Sequence, residues 1–249
     1  MSKRLDLCLV EHGLAPSRER AKELIRAGQV MIGGHPAGKP SQKISEEEES
    51  KLSIQGETLP YVSRGGLKLE KALTEFRLDL KGLVCMDVGA STGGFTDCML
   101  QNGAGKVYAV DVGTSQLSSL LREDPRVISM ENTNMRYLKG TDLPEAMDFM
   151  SADVSFISLK LLFPAMVDCL KEGGKMVCLI KPQFEAGRAD LGKKGIVKDR
   201  RVHERVIREV TDSAADCGLR PLGHIVSPIQ GAKGNIEYLA CFEKVLIKS

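Results

Sequence analysis

The sequence predicts an α/β protein, a doubly wound and mostly parallel sheet preceded by a small α+β module, and three observations carry that expectation. From about residue 82, short apolar runs alternate with helical stretches. A glycine-rich turn, MDVGASTGGFTD, follows the first of those runs and opens a helix. Residues 1–60 follow another pattern, two short helices and a brief strand, which places a domain boundary near residue 60 and gives domains 1–60 and 61–249. With 249 residues and 42% hydrophobic content, the chain can bury two cores of unequal size.

In RLDLCLVEHGLAPSRERAKELIRAGQVMIGG the first helix carries Leu5, Leu9 and Val10. Ser17 suits the N-cap of the second helix, and Gly28 suits the position just past its end, before the strand VMIGG. The second helix has Ala21, Leu24 and Ile25 as its apolar stripe, which turns Arg18, Arg20, Lys22 and Arg26 outward or sideways. Those charges are either an ordinary solvated face or a surface for phosphates. Residues 61–80 join the domains, and YVSRGGLKLEKALTEF (61–76) predicts a helix beginning near Gly66.

LVCMDVG, KVYAVDVG, RVISME, MDFMSADVSF and GKMVCLIKP predict five strands, with helices between them at about 93–102, 115–122 and 159–170. A long helix in VKDRRVHERVIREVTDSAADCGL and two further strands, RPLGHIVSPI and NIEYLACFEKV, complete the sheet.

The turn after the first strand lies where parallel sheets bind nucleotide-like ligands. A dinucleotide fingerprint wants glycine at 89, 91 and 94, but position 91 is Ser91, where the backbone would have to approach a pyrophosphate. This weakens a nicotinamide oxidoreductase reading. Gly89, Ala90, Ser91, Gly93 and Gly94, with Phe95 behind them, fit S-adenosylmethionine better, since it carries a sulfonium and no pyrophosphate. Asp111 ends the second strand, about twenty residues on, where a carboxylate can accept both ribose hydroxyls; Val112 follows it. Asn132 is either a contact to an adenine amino group or the cap of a loop.

Lys181 sits directly before Pro182 at the end of an apolar strand, in the row of strand ends where open sheets put their chemistry. Asp153 ends the neighbouring strand, and the two are either an ordinary ion pair or part of a site. Lys68 leads the helix after SRGG, and Glu237 is the one acid in the otherwise apolar run GNIEYLACF. FEAGRADLGKKGIVKDRRVHERV (184–206) follows Lys181 and is either a solvated loop or a basic lid over a phosphate-bearing ligand. Arg188, Lys193 and Lys194 within it, and Arg64 in SRGG, join the candidate phosphate contacts.

Two resemblances sharpen these readings. RLD..L.....A.SR..A..LI..G.V.I.G, over roughly residues 3–58, closely resembles the small RNA-binding domain of the ribosomal protein S-four family. This implies a basic helix laid against structured RNA. The order Lys68, Asp153, Lys181, Glu237, with DVGASTGGFTD between the first two, resembles the catalytic tetrad of the FtsJ-like RNA ribose 2′-O-methyltransferases. YVSRGGLKL, DVGTSQL, ADVSFISL, KPQFEAGR and KGNIEY extend the likeness to the TlyA family over essentially the whole chain. Members of that family carry both the name haemolysin A and the name ribosomal RNA methyltransferase. The resemblance implies a Rossmann-like methyltransferase sheet with an antiparallel last strand, S-adenosylmethionine as cofactor and ribosomal RNA or ribosomal subunits as partner, with cytidine 2′-O-methylation as the reaction. Lys181 would be the general base or hydroxyl-positioning group, Lys68 a second positive charge, and Asp153 and Glu237 would orient the amines. Ala232 departs from the pattern, standing where proline is expected.

Charge and cysteine usage bound the alternatives. The net charge is only +2, but residues 1–45 carry eight Lys/Arg against four Asp/Glu, and residues 181–208 nine against four. Seven scattered cysteines form no Cys-x-x-Cys pair, and no His has metal-ligand spacing, so a reduced cytoplasmic protein without a metal is expected. No window is apolar enough for a bilayer, which disfavours a lytic haemolysin. An RNA-binding protein with an inactive methyltransferase fold stays open.

Overall fold

The computed structural model describes residues 2–15, 18–55, 59–192, 195–231 and 234–245. Ser17, Lys193, Lys194 and Ala232 lie outside the described residues, as do the side chains of Arg20 and Arg188. The chain divides into two compact units, Met1–Pro60 and Tyr61–Ser249.

In the first unit, helices α1 (Leu5–Glu11) and α2 (Arg18–Arg26) share a core with a three-stranded antiparallel ladder. In that ladder Val30–Ile32 lies between His35–Pro36 and Leu52–Ile54. Leu5, Leu9, Ala21, Leu24 and Ile25 are buried, so the 3.6-residue stripe read from the sequence is the face that packs. Gly28 takes φ +70° just past α2, where its N–H reaches the Ile25 carbonyl and that of Gln29 reaches Leu24. A buried charge lies against this core. Asp6 is fully buried, bonded to Arg4 at 2.9 Å and Arg18 at 3.0 Å, and these guanidiniums hold its carboxyl down at about 2. Arg18 therefore has an intramolecular partner, Lys22 is half-buried, and Arg26 is exposed.

The second unit begins with α3 (Gly65–Glu75). Seven strands follow: β1 (Val84–Val88), β2 (Lys106–Val110), β3 (Val127–Met130), β4 (Met147–Ala152), β5 (Leu170–Ile180), β6 (Leu219–Val226) and β7 (Tyr238–Lys244). They make one sheet in the order β6-β7-β5-β4-β1-β2-β3, parallel except that β7 runs antiparallel to both its neighbours. Helices α4 (Gly94–Gln101), α5 (Phe163–Cys169) and α6 (Arg200–Asp216) cover it. Strand β5 shows why the sheet is sandwiched. Met176, Cys178 and Ile180 enter the core with Phe163, Met166 and Val210, while Val177 and Leu179 enter the opposite one with Leu69 and Met99.

Three expected elements change. The helix at 115–122 shrinks to the single turn Ser119–Arg122, because Ser115 sits at φ +54° and the amides of Gln116 and Leu117 bond the Glu131 carboxylate instead of helix carbonyls. The helix at 159–170 breaks into a tight turn, Leu159–Leu161, and α5, with Pro164 in the first turn of α5. Strand β5 starts four residues early and slips register between Leu170 and Lys175. No helix among the described residues is long and apolar enough to cross a membrane, and none of their acidic, His and Cys side chains cluster to hold a metal ion.

Candidate active site

The carboxyl ends of β1, β2, β4 and β5 meet at one edge of the sheet, and the turn after β1 shows why its sequence is glycine-rich. Gly89 has φ +81°, and a Cβ there would stand 2.5 Å from the Asp153 carbonyl oxygen. Gly93 has φ +95° at the start of α4, where a Cβ would collide with Leu117 and Leu121. Beneath the turn, the buried Asp87 carboxylate accepts the Thr96 amide at 2.9 Å, the Thr96 hydroxyl at 2.8 Å and the Ser151 hydroxyl at 3.1 Å. Burial pushes its pKa up to about 7 against these hydrogen bonds.

A cleft of about 400 Å³ opens over the turn. Among the sequence candidates it is lined by Arg64, Lys68, Gly89, Ala90, Ser91, Gly94, Phe95, Asp153 and Lys181. Gly93, Asp111, Val112, Asn132 and Glu237 lie outside that lining. Asp111 is held at its rim: one carboxylate oxygen accepts the Ser91 amide at 2.8 Å and the other the Gly113 amide at 2.7 Å. Val112 beside it is 69% exposed, although apolar. Asn132 takes φ +56°, and its side-chain oxygen accepts the Thr114 hydroxyl at 3.1 Å, which makes it a brace between two loops.

At the other wall, four charged groups form an alternating row. Lys181 Nζ stands 2.6 Å from Asp153 Oδ1; the other oxygen of Asp153 is 3.6 Å from Lys68 Nζ, which donates to Glu237 Oε2 at 2.9 Å. Lys181 and Glu237 are only 8% and 3% exposed, so each charge is compensated by an opposite one inside the fold. Each residue comes from a different element: the end of β4, the end of β5, the first turn of α3 and the residue before β7. A side chain at Gly231 would collide with Glu237, so that turn closes over the carboxylate.

Sequence reasoning missed four residues that complete the wall. Ser155 accepts a hydrogen bond from Lys181 at 3.0 Å, and the Gln183 amide donates to Glu237 Oε1 at 3.1 Å. Phe184 lies under Lys181, 5.8 Å from Nζ to the ring centre, and Phe156 stands against Phe184 at 4.9 Å between centroids. Phe156 is 89% exposed and takes φ +64°, an unusual backbone for an aromatic residue. Their signal was proximity: two follow Asp153 closely in ADVSF, and two follow Lys181 in KPQF.

Comparison with known proteins places this geometry. Over 95% of its length the chain is 50% identical to YqxC of Bacillus subtilis, a protein provisionally named an rRNA methyltransferase, 84% of which is covered. It is 43% identical, over 94% of its length and 87% of the relative, to the 16S/23S rRNA (cytidine-2′-O)-methyltransferase TlyA of Mycobacterium tuberculosis. A solved structure from Streptococcus thermophilus, provisionally named a hemolysin, matches with a TM-score of 0.77 at 50% identity, covering 98% of this chain and 89% of that one. The fold alone is shared with an S-adenosylmethionine dependent methyltransferase from Mesorhizobium loti, 15% identical, with a TM-score of 0.53 over 70% of this chain and 96% of that one. Residues 3–50 match the S4 domain, and residues 61–244, which hold the whole charged row and the glycine turn, match the FtsJ-like methyltransferase model. The chain belongs to the FtsJ-like methyltransferase family.

Proposed function

We propose that this protein transfers a methyl group from S-adenosylmethionine to a ribose 2′-hydroxyl of structured RNA, with cytidine in ribosomal RNA as the substrate. The observation that carries the reading is the row Lys181, Asp153, Lys68, Glu237 beside a glycine-floored cleft. The RNA-directed names of the relatives and the S4 match support the choice of substrate.

The residues present fit the cofactor. Ala90, Gly89 and Gly94 leave the cleft floor without bulky side chains, and Asp111 keeps free lone pairs on both oxygens, aimed by two backbone amides, for a ribose diol. Exposed Val112 offers an apolar face for an adenine ring. S-adenosylmethionine would supply a methyl on a sulfonium, an electrophile open to in-line displacement. Lys181 is placed to bring the nucleophile to it. Two of the three hydrogen-bond positions on its Nζ serve Asp153 and Ser155, which leaves one for the 2′-hydroxyl. At that position Lys181 holds the 2′-hydroxyl oxygen and is the group placed to take its proton. Lys68 supplies the second positive charge, and Asp153 and Glu237 fix both amines. The exposed Phe156 against Phe184 gives one base a stacking face beside Lys181.

The test is incubation of the protein with methyl-labelled S-adenosylmethionine and ribosomal RNA, either free or in subunits, from a strain lacking it. Label appearing on a ribose 2′-oxygen, mapped by nuclease resistance at single nucleotides, is the expected result. Label on a base, or none on any RNA form, overturns the reading.

A further inference from the structure

Glu185 is a half-buried acid beside the site that neither the charged row nor the cofactor turn uses. It ends the single helical turn Pro182–Glu185, which begins immediately after Lys181 and is closed by the bonds from the Phe184 and Glu185 amides to the Lys181 carbonyl. From there it reaches across to the loop after β4. One oxygen accepts the Ser158 hydroxyl at 2.5 Å and the other the Leu159 amide at 2.8 Å. Ser158 in turn caps the tight turn Leu159–Leu161 by accepting the Lys160 amide at 3.2 Å. Burial pushes the Glu185 carboxyl upward, against the hydrogen bonds from Ser158 and Leu159.

The consequence lies upstream in both loops. The segment from Asp153 to Ser158 is fixed at its start, where the Asp153 amide bonds the Val88 carbonyl at 3.0 Å, and at its end by Glu185. Between those anchors it carries Asp153, Ser155 and Phe156, which face Lys181, Lys181 and Phe184 respectively. The Pro182–Glu185 turn carries Gln183 and Phe184, and Lys181 leads into it. Three cross-loop contacts therefore lie between the Val88 anchor and the Glu185 clamp. We propose that Glu185 is a positioning residue for methyl transfer, one that sets the distance between Lys181 and the Asp153–Phe156 segment by holding Ser158 and Leu159. Displacement of a reacting group by about 1 Å can lower a rate roughly 100-fold, so a loose clamp should be read mainly in turnover. The inference rests on the 2′-O-methylation reading, and wild-type activity in the same assay separates failure of that reading from failure of this one.

The experiment compares wild type, Glu185→Ala, Glu185→Gln and Ser158→Ala as full chains, by steady-state methylation of ribosomal RNA and by calorimetric titration with S-adenosylmethionine. Glu185→Ala is expected to lower kcat by about 10- to 100-fold while the affinity for S-adenosylmethionine stays within about twofold, since the glycine turn and Asp111 lie on other elements. Glutamine can accept the Leu159 amide with its oxygen and donate to Ser158 with its nitrogen, so Glu185→Gln should recover most of kcat. Ser158→Ala breaks one of the two bonds, keeps the fold if Glu185→Ala does not, and should lose an intermediate amount. Unchanged kcat in Ser158→Ala and in a folded Glu185→Ala overturns the proposal. So does a Gln variant as slow as the Ala variant, which would assign Glu185 a charge role, or a loss of cofactor affinity that accounts for the loss of rate.

Discussion

Lys181 was recognisable in the sequence because a charged residue before a proline is out of place at the end of an apolar strand. What could not be read was its burial. The side chain does not stand free beyond the sheet but turns into a pocket formed by Asp153, Ser155 and Phe184, each from a loop whose path depends on tertiary packing. Lys181→Ala should still fold and bind S-adenosylmethionine, because Asp153 keeps Lys68 as a partner at 3.6 Å. Its kcat should fall by roughly 10²–10⁴. Lys181→Arg keeps a positive charge that does not release its proton near neutral pH, so it should be about as slow if Lys181 is the base. An arginine variant near the wild-type rate would leave Lys181 only a positioning role. Asp87 offers a different test, read in stability. Its folded pKa of about 7 lies above the ordinary aspartate value of about 3.9, so its protonated form favours the folded state. That contribution is complete below about pH 4 and is lost as pH rises towards 7. Asp87→Asn can direct its oxygen to Thr96 and its amide to the Ser151 hydroxyl, and should remove the dependence. Melting temperatures of the two proteins should converge or cross between pH 4 and 7, with the asparagine variant gaining on wild type as pH rises; a constant difference would assign the carboxyl an ordinary pKa.

At the scale of elements, strands were easier to foresee than the short helices. The strand runs fill both faces of the sheet, so their apolar character is continuous and their ends are marked by Gly, Asp or Pro. The stretch 115–122 has helix-compatible residues, yet Glu131, sixteen residues beyond Ser115, captures two of its amides and leaves one turn. No local pattern announces such a competitor. The remaining turn matters, because Leu117 and Leu121 pack over Gly93. Gly93→Ala adds a Cβ to a left-handed residue and drives it into both leucines. The expected loss is about 2–4 kcal/mol, or roughly 5–15 °C in melting temperature for a unit of this size. It should come with weakened S-adenosylmethionine binding, since the turn must move. Thermal unfolding at the wild-type temperature would show that the turn yields without strain.

For the molecule as a whole, the two-unit architecture was legible because amphipathic pattern and charge both change near residue 60. The first unit has its own buried core and carries Arg26 and Lys22, while the charged row and glycine turn belong entirely to the second. Removal of residues 1–60 should therefore leave S-adenosylmethionine affinity nearly unchanged, weaken RNA binding and sharply lower methylation. Full-chain affinity for RNA should also fall steeply with salt, as phosphate contacts release counterions. Undiminished catalytic efficiency in the shortened protein, or a flat salt response, would count against the basic regions as contact surfaces. What the sequence left unread is the placement of the last strand. β7 is made after β6 but inserts between β6 and β5, and it brings Glu237 to a lysine 169 positions earlier in the chain. A growing polypeptide released only as far as β6 has no neighbour for that strand and no fourth member for its charged row. During synthesis the charged row thus stays incomplete until β7 leaves the ribosome.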